Sequence, residues 1–275
     1  TFPLLASNDP TKLPPQDTII VATKAHDAAV IARTMSPLLG PNTTVVTAMN
    51  GIPWWYFYRE GGPFEGTQLN SVDPRGEQWT RLGPERVLGT VVWLSAEVHA
   101  PGVIRHTTGT RLPLGEPNGK KSRRARDLSA AFARAGFRSP VLTDIRSELW
   151  LKLWGNLAFN PVSLLTHATL EDLARNPGPR GVVRAMMLEA ETVAGALGIR
   201  FRIDVDARIR GAEEVGAHRT STLTDLLRGK PVELDALLGV VVEIAEMAGV
   251  DTPTLRHVFA LSVLRAQEAG CYPSA

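Results

Sequence analysis

The spacing of apolar residues changes near residue 143, and this change constrains the fold more than any other feature of the sequence. Up to that point, short β-branched runs alternate with helical stretches and with Gly and Pro. From Asp144 onward, apolar residues recur three and four positions apart, which is the period of an amphipathic helix. We therefore predict an α/β domain over residues 1–143 and an all-helical domain over residues 144–275.

The first half contains two compact apolar runs, residues 18–23 and 43–48, separated by a helical stretch at 27–39. Uninterrupted Ile and Val are typical of parallel strands that are buried on both faces. A charged helix is predicted at 122–135 and a last short strand at 139–142.

Three further strands are predicted at 87–94, 103–106 and 111–114. The dipeptides Pro101-Gly102 and Thr108-Gly109 separate them and favour antiparallel hairpins that close the sheet. Residues 54–84 are rich in Gly, Pro and aromatic residues and lack a clear period, which is typical of a lid or a contact surface. The tryptophans in this stretch and in the second half are expected to pack in the core or an interface.

The composition excludes several classes of function. Thirty Lys and Arg face 28 Asp and Glu, a net charge of +2, so nucleic acid is an unexpected partner. Cys271 is the single cysteine and cannot form an internal disulfide, which favours a cytoplasmic location. The most apolar stretch, 236–250, is interrupted by Glu243 and Glu246, so no membrane span is predicted. The six histidines never occur at metal-ligand spacing, and no metal site is expected.

Lys152, Asn156 and Asn160 lie four residues apart on a helix predicted over 149–165. A step of four residues advances the helix by only about 40°, so the three polar side chains share one stripe. A solvent-facing stripe, with Lys152 paired to Glu148, is one interpretation. The other is a wet cleft or a polar ligand, which is favoured because Asn is a poor helix former and two in one helix need a reason.

Lys24 and Asn50 follow the first two predicted strands, at the carboxyl ends where open α/β sheets bind ligands. The dipeptide Asn50-Gly51 is equally compatible with an ordinary turn. Ser221 is expected at the end of a helical stretch, and Pro231 and Glu233 in the first turn of a helix over 234–248.

The order of five segments resembles the ketopantoate reductase (2-dehydropantoate 2-reductase) family. They are ASNDPTKLPPQDTIIVATKAHD, AMNG, RVLGTVVWLSAEVHAPGVIRHTTGT, DIRSELWLKLWGNLAFNP and STLTDLLRGKPVELD. The resemblance implies a partial Rossmann domain followed by a helical domain, with the substrate in the cleft between them. It also implies NADPH-dependent reduction of ketopantoate to pantoate in pantothenate biosynthesis, by a protein expected to form a homodimer.

The same resemblance assigns roles to individual residues. Lys152 matches the lysine that protonates the carbonyl oxygen, and Glu233 matches the acid that organises it. The positions that hydrogen-bond the substrate correspond to Asn156, Asn160 and Ser221. Lys24 and Asn50 match positions on the cofactor side, and Asn50 is also expected to contact the substrate.

One part of the family pattern is not found. The sequence has no GxGxxG, and the family's first strand and phosphate loop would precede Thr1, so we expect a fragment of a longer enzyme. Two alternatives stay open: a related reductase that acts on another 2-keto acid, and a truncated homologue without catalytic activity.

Overall fold

The computed structural model describes residues 4–273 of the chain. The chain divides into two compact units, one up to Ile145 and one from Arg146 onward. The first unit holds every strand found in the described residues, together with three α-helices, and the second is built of helices. The predicted class, an α/β domain followed by an all-helical domain, is therefore confirmed.

Seven strands form two sheets in the first unit. They are β1 (Gln16–Val21), β2 (Leu39–Thr47), β3 (Val87–Thr90), β4 (Trp93–Ala100), β5 (Val103–Arg111), β6 (Leu114–Gly115) and β7 (Val141–Leu142). The larger sheet has the order β1-β2-β3-β6-β7, and β4 pairs with β5 in a separate ribbon. In the larger sheet β3 and β6 are antiparallel, and the other neighbouring pairs are parallel.

The central strands of the larger sheet are buried on both faces, as the sequence predicts. Val45 and Val46 of β2 and Leu88 of β3 are inaccessible to solvent, because side chains cover both faces at this position. At the edge of the sheet, β1 is less covered, and Ile20 is 47% exposed. The predicted strand–helix–strand order of the first 50 residues is confirmed, with α1 (Ala25–Thr34) between β1 and β2.

Only one of the two predicted hairpin turns is present in the structure. The stretch 87–94 is divided between β3 and β4, and only the Pro101-Gly102 turn joins two antiparallel strands. The dipeptide Thr108-Gly109 makes no turn between strands: it lies inside β5, where Gly109 has a φ of +73° and the register shifts. A left-handed glycine produces a bulge as readily as a turn, and the sequence alone does not separate the two. The β4–β5 hairpin forms a separate ribbon, and the larger sheet continues from β3 through β6 to its edge strand β7.

The aromatic stretch 54–84 is a packed part of the first unit. Trp54, Trp55, Tyr56 and Phe57 are almost fully buried, and a short helix, α2 (Glu77–Leu82), follows them. The indole Nε1 of Trp55 donates a hydrogen bond to Oγ1 of Thr47 on β2, at 2.9 Å. The predicted core packing of these tryptophans is confirmed, whereas residues 59–68, which follow them, are exposed or only partly buried.

The remaining helices follow in chain order. They are α3 (Arg123–Arg134), α4 (Ile145–Thr166), α5 (Leu170–Arg175), α6 (Pro177–Ala196), α7 (Val205–Glu214), α8 (Ser221–Leu227), α9 (Val240–Ala248) and α10 (Pro253–Glu268). In the second unit α4 lies in the core. Trp154 of α4 donates its Nε1–H to the carbonyl of Met187 on α6 at 2.8 Å, and stacks on Phe201 with ring centroids 4.0 Å apart.

Two helix boundaries differ from the prediction. Ser221 is the first residue of α8, with Thr220 as its N-cap, and does not end a helix. Pro231 and Glu233 precede the next helix, which begins with a π-helical turn, Asp235–Gly239, before α9. Helix boundaries rest on local hydrogen bonds that apolar spacing does not encode.

Candidate active site

The polar stripe of α4 is turned away from bulk solvent. Lys152 and Asn156 are partly buried, and Asn160 is only 6% exposed. Their neighbours Leu153, Trp154 and Leu157 are buried as well. The interpretation of a solvated stripe is therefore wrong, since a solvent-facing row would expose all three polar side chains.

Lys152 is the most perturbed base of the second unit. Burial lowers the pKa of its ammonium group, and the negative charge of Glu233 raises it again, which leaves the pKa at about 8. Glu233 itself is 7% exposed. A lysine in this range can give up a proton near neutral pH, whereas an ordinary surface lysine cannot.

Glu233 lies in the loop between α8 and the π-helical turn. Its carbonyl accepts a hydrogen bond from the amide of Leu237 at 3.2 Å. The amide of Val232, the preceding residue, donates to the carbonyl of Cys271 at 3.0 Å. Both neighbours of Glu233, Val232 and Leu234, belong to a buried apolar cluster. Single π-helical turns are frequent at functional sites because they redirect a side chain. The fold therefore holds the carboxylate near Lys152 through the backbone on both sides of it.

Asn160 has a partner that the sequence did not indicate. Its Nδ2 donates to Oγ1 of Thr222 on α8, at 3.1 Å, and both side chains are buried. Ser221, the neighbouring hydroxyl that the family pattern singles out, is exposed. The bond to Thr222 explains an Asn inside a helix, and only a knowledge of which helices pack together would have revealed it.

Gly155 lies between Lys152 and Asn156 on α4. A Cβ atom built on it would come within 2.6 Å of Nη2 of Arg208 on α7. Burial lowers the pKa of this guanidinium. Because residue 155 has no side chain, the guanidinium of Arg208 can pack directly against α4. The sequence analysis did not predict this contact.

Lys24 and Asn50 lie in the first unit, three residues beyond the ends of β1 and β2 respectively. The amide of Ala48 donates to the carbonyl of Val21 at 2.8 Å, and Oγ1 of Thr23 donates to Sδ of Met49 at 3.9 Å, so the two strand ends lie side by side. Both predicted residues are partly buried. A lysine ammonium and an asparagine amide at the carboxyl ends of neighbouring parallel strands suit the phosphate, ribose and amide groups of a nicotinamide cofactor.

Comparison with known proteins decides the family. The family model "Ketopantoate reductase PanE/ApbA C terminal" matches residues 144–266, and the model "Ketopantoate reductase PanE/ApbA" matches residues 2–54. A curated 2-dehydropantoate 2-reductase of Mesorhizobium japonicum is 50% identical over 98% of this chain, which spans 83% of that relative's length. The chain belongs to the ketopantoate reductase family.

Solved structures agree with this assignment to the ketopantoate reductases. A protein from Ralstonia solanacearum MolK2 superposes with a TM-score of 0.94 at 40% identity, over 99% of this chain and 83% of that one. The PanE/ApbA family ketopantoate reductase from Ralstonia eutropha JMP134 has a TM-score of 0.78 at 28% identity, over 96% and 80% of the two chains. The first unit is thus the Rossmann-type part of the family fold, and the family consists of NAD(P)-dependent oxidoreductases.

Residues 4–273 contain neither a membrane-spanning helix nor a cluster of metal ligands. No helix among them is long and apolar enough to cross a membrane. Within the same residues, no group of three or more His, Cys, Asp or Glu side chains is arranged to hold a metal ion.

Proposed function

We propose that this chain catalyses the NADPH-dependent reduction of 2-dehydropantoate to pantoate. The observation that carries the proposal is the partly buried Lys152, whose pKa of about 8 reflects burial opposed by the buried Glu233. The family membership supports the same reaction, since a curated relative that is 50% identical is named 2-dehydropantoate 2-reductase.

The chemistry of the site is a proton delivery. NADPH, when bound, supplies a hydride for the 2-keto carbon of the substrate. Lys152 holds a proton on Nζ and donates it to the carbonyl oxygen, where negative charge develops, and water returns a proton to the amine afterwards. An acid with a pKa near the working pH is the most effective one for such a transfer.

Glu233 keeps Lys152 charged between turnovers. Without an opposite charge, burial alone would lower the pKa of Lys152 below about 8 and reduce the fraction of the amine that is charged near neutral pH. In the proposed mechanism the acid therefore sets the fraction of enzyme that is ready to donate a proton.

The remaining predicted residues orient the two reactants. The amides of Asn156 and Asn160 and the hydroxyl of Ser221 are proposed to hydrogen-bond the hydroxyl and carboxylate groups of the substrate. Lys24 and Asn50 are proposed to contact the cofactor, and Asn50 the substrate as well. Preorganised donors of this kind stabilise developing charge without a reorganisation cost.

The test is Lys152→Ala, with Lys230→Ala as the matched control, because Lys230 is an exposed lysine of the same unit. With NADPH and 2-dehydropantoate, K152A should lose turnover by roughly two to four orders of magnitude, while K230A keeps it. NADPH binding, followed by nicotinamide fluorescence, should be equal in the two variants. Undiminished turnover of K152A would refute the proposal.

Two finer points are proposed with this function. Rates for a panel of 2-keto acids should be highest with 2-dehydropantoate, and a faster acid would identify the related reductase instead. A homodimer is also proposed, and light scattering coupled to gel filtration would measure its mass.

A further inference from the structure

The C-terminal end of α10 lies against the loop that carries Glu233. The helix ends in a Schellman motif: Gly270 has a φ of +66°, its amide donates to the carbonyl of Gln267 at 2.8 Å, and the amide of Cys271 donates to the carbonyl of Ala266, also at 2.8 Å. This motif sets the direction in which the chain leaves the helix. Cys271 and Tyr272 therefore follow α10 in a defined geometry.

These two residues contact the chain on both sides of Glu233. The carbonyl of Cys271 accepts from the amide of Val232, the residue before Glu233, at 3.0 Å. The hydroxyl of Tyr272 donates to Oδ1 of Asp235, two residues after Glu233, at 2.7 Å. Glu233 is thus held between two contacts with one short segment, and the second contact is a charge-assisted hydrogen bond.

The surroundings make this attachment rigid. Val232, Leu234 and Cys271 are buried in one apolar cluster, and Tyr272 packs against it. The loop and the C-terminal segment therefore move together, because closely packed groups cannot shift without loss of contacts.

We propose that Tyr272 is a positioning residue that, through Asp235, holds the carboxylate of Glu233 beside Lys152. The inference rests on the proposed function for its catalytic consequence, although the geometry it describes does not depend on the reaction. It gives the C-terminal segment a direct part in setting the protonation of the proposed acid.

The expected direction follows from the charges that face Lys152. Glu233, on the loop, raises the pKa of Lys152 and so opposes the effect of burial. Glu148 lies one turn earlier on α4, and Asp235 lies two residues beyond Glu233. If the loop relaxes away from α4, the favourable interaction weakens, and burial then lowers the pKa of Lys152 below about 8.

The experiment measures the protonation of Lys152 directly. Competitive labelling of lysines with acetic anhydride across a pH series, followed by mass spectrometry of the peptide that contains Lys152, gives its midpoint without any turnover. We expect Tyr272→Phe to lower that midpoint by roughly 0.5 to 1 on the pH scale. The matched control is Gln267→Ala, which removes the 3.0 Å bond from Nε2 of Gln267 to the carbonyl of Pro273 and leaves both contacts around Glu233 intact.

The same substitution in a Glu233→Gln background distinguishes the positioning of the Glu233 carboxylate from a general loosening of the structure around Lys152. Because the charge that Tyr272 positions is then absent, Y272F should leave the Lys152 midpoint unchanged. An unchanged midpoint in the single variant Y272F, or an equal shift with and without Glu233, would overturn the inference.

Activity gives an independent readout. In Y272F, kcat with 2-dehydropantoate should fall about two-fold at pH 7.5 and remain normal at pH 6, where the lysine is charged in both proteins. If the wild-type chain does not reduce 2-dehydropantoate, the proposed function fails, while the labelling result still decides the role of Tyr272.

Discussion

Asn160 and Thr222 form a buried hydrogen bond, 3.1 Å from Nδ2 to Oγ1, that joins α4 to α8. It attaches the last residue of the polar stripe to the helix whose first residue is Ser221. Two adjacent hydroxyls of α8 thus have different surroundings: Thr222 is 3% exposed and bonded within the unit, and Ser221 is exposed.

Replacement of these two hydroxyls should therefore affect different properties of the protein. Thr222→Val leaves the buried amide of Asn160 without this partner and should cost about 1–3 kcal/mol in the free energy of unfolding. Ser221→Ala should change stability by less than about 0.5 kcal/mol, and should raise KM for the keto acid if Ser221 binds substrate. Urea denaturation and steady-state kinetics measure the two quantities. A large loss of stability in S221A would contradict this division.

The pH dependence of turnover should show the state of Lys152. Because the ammonium form is the proton donor and its pKa is about 8, kcat should be constant below that pH and fall ten-fold per pH unit well above it. The control is Lys152→Arg, which stays charged over the whole range, so its much lower kcat should show no such decline up to pH 10. The measurement is kcat at saturating substrate from pH 6 to 10.

Stability should reveal that Lys152 and Glu233 depend on each other. Lys152→Met leaves the buried Glu233 without its counter-charge and should destabilise the protein by roughly 3 kcal/mol. The double variant K152M/E233Q removes both charges and should recover most of that loss, as seen in the unfolding midpoint. Additive effects of the two substitutions would show that the residues do not interact.

The sign of the pH effect on stability follows from the same pKa. In the unfolded chain the pKa of Lys152 returns to its ordinary value of 10.5, so the unfolded state binds more protons than the native state between pH 8 and 10.5. The cost of burying the ammonium group is complete below pH 8 and disappears as the pH rises through this window. Relative to K152M/E233Q, the wild-type protein should therefore gain stability from pH 8 to 10.

Gly89 on β3 should tolerate no side chain. A Cβ atom there would lie 2.6 Å from Cη2 of Trp55, and this indole is fully buried and cannot yield. We expect Gly89→Ala to cost about 1–3 kcal/mol. Gly181→Ala is the control: nothing lies within 4 Å of its Cβ position in the exposed part of α6, and the helix should gain about 0.5–1 kcal/mol. Thermal unfolding of both variants is the measurement, and a stable G89A would show that Trp55 is loosely packed.

Much of the architecture was accessible from the sequence because it depends on local periodicity. The apolar run that forms β2 and the three-and-four spacing of α4 specify which residues are buried, whatever the order of the strands. Turn residues were less informative: Pro101-Gly102 joins two strands, while Thr108-Gly109 makes a bulge, because both need only a glycine with positive φ. The burial of Trp54 and Trp55 likewise depends on the strands that they pack against.

The sequence by itself determined the period change near residue 143, the polar stripe of α4 and the likeness to a reductase family, since each is a pattern along one chain. Only the tertiary structure decided that Glu233, 81 residues beyond Lys152, acts on the charge of that lysine, that Thr222 binds Asn160 and that Tyr272 holds the loop through Asp235. The physical reason is that burial and Coulomb interactions depend on distance in space. Residues far apart in the chain acquire that distance only when the helices pack.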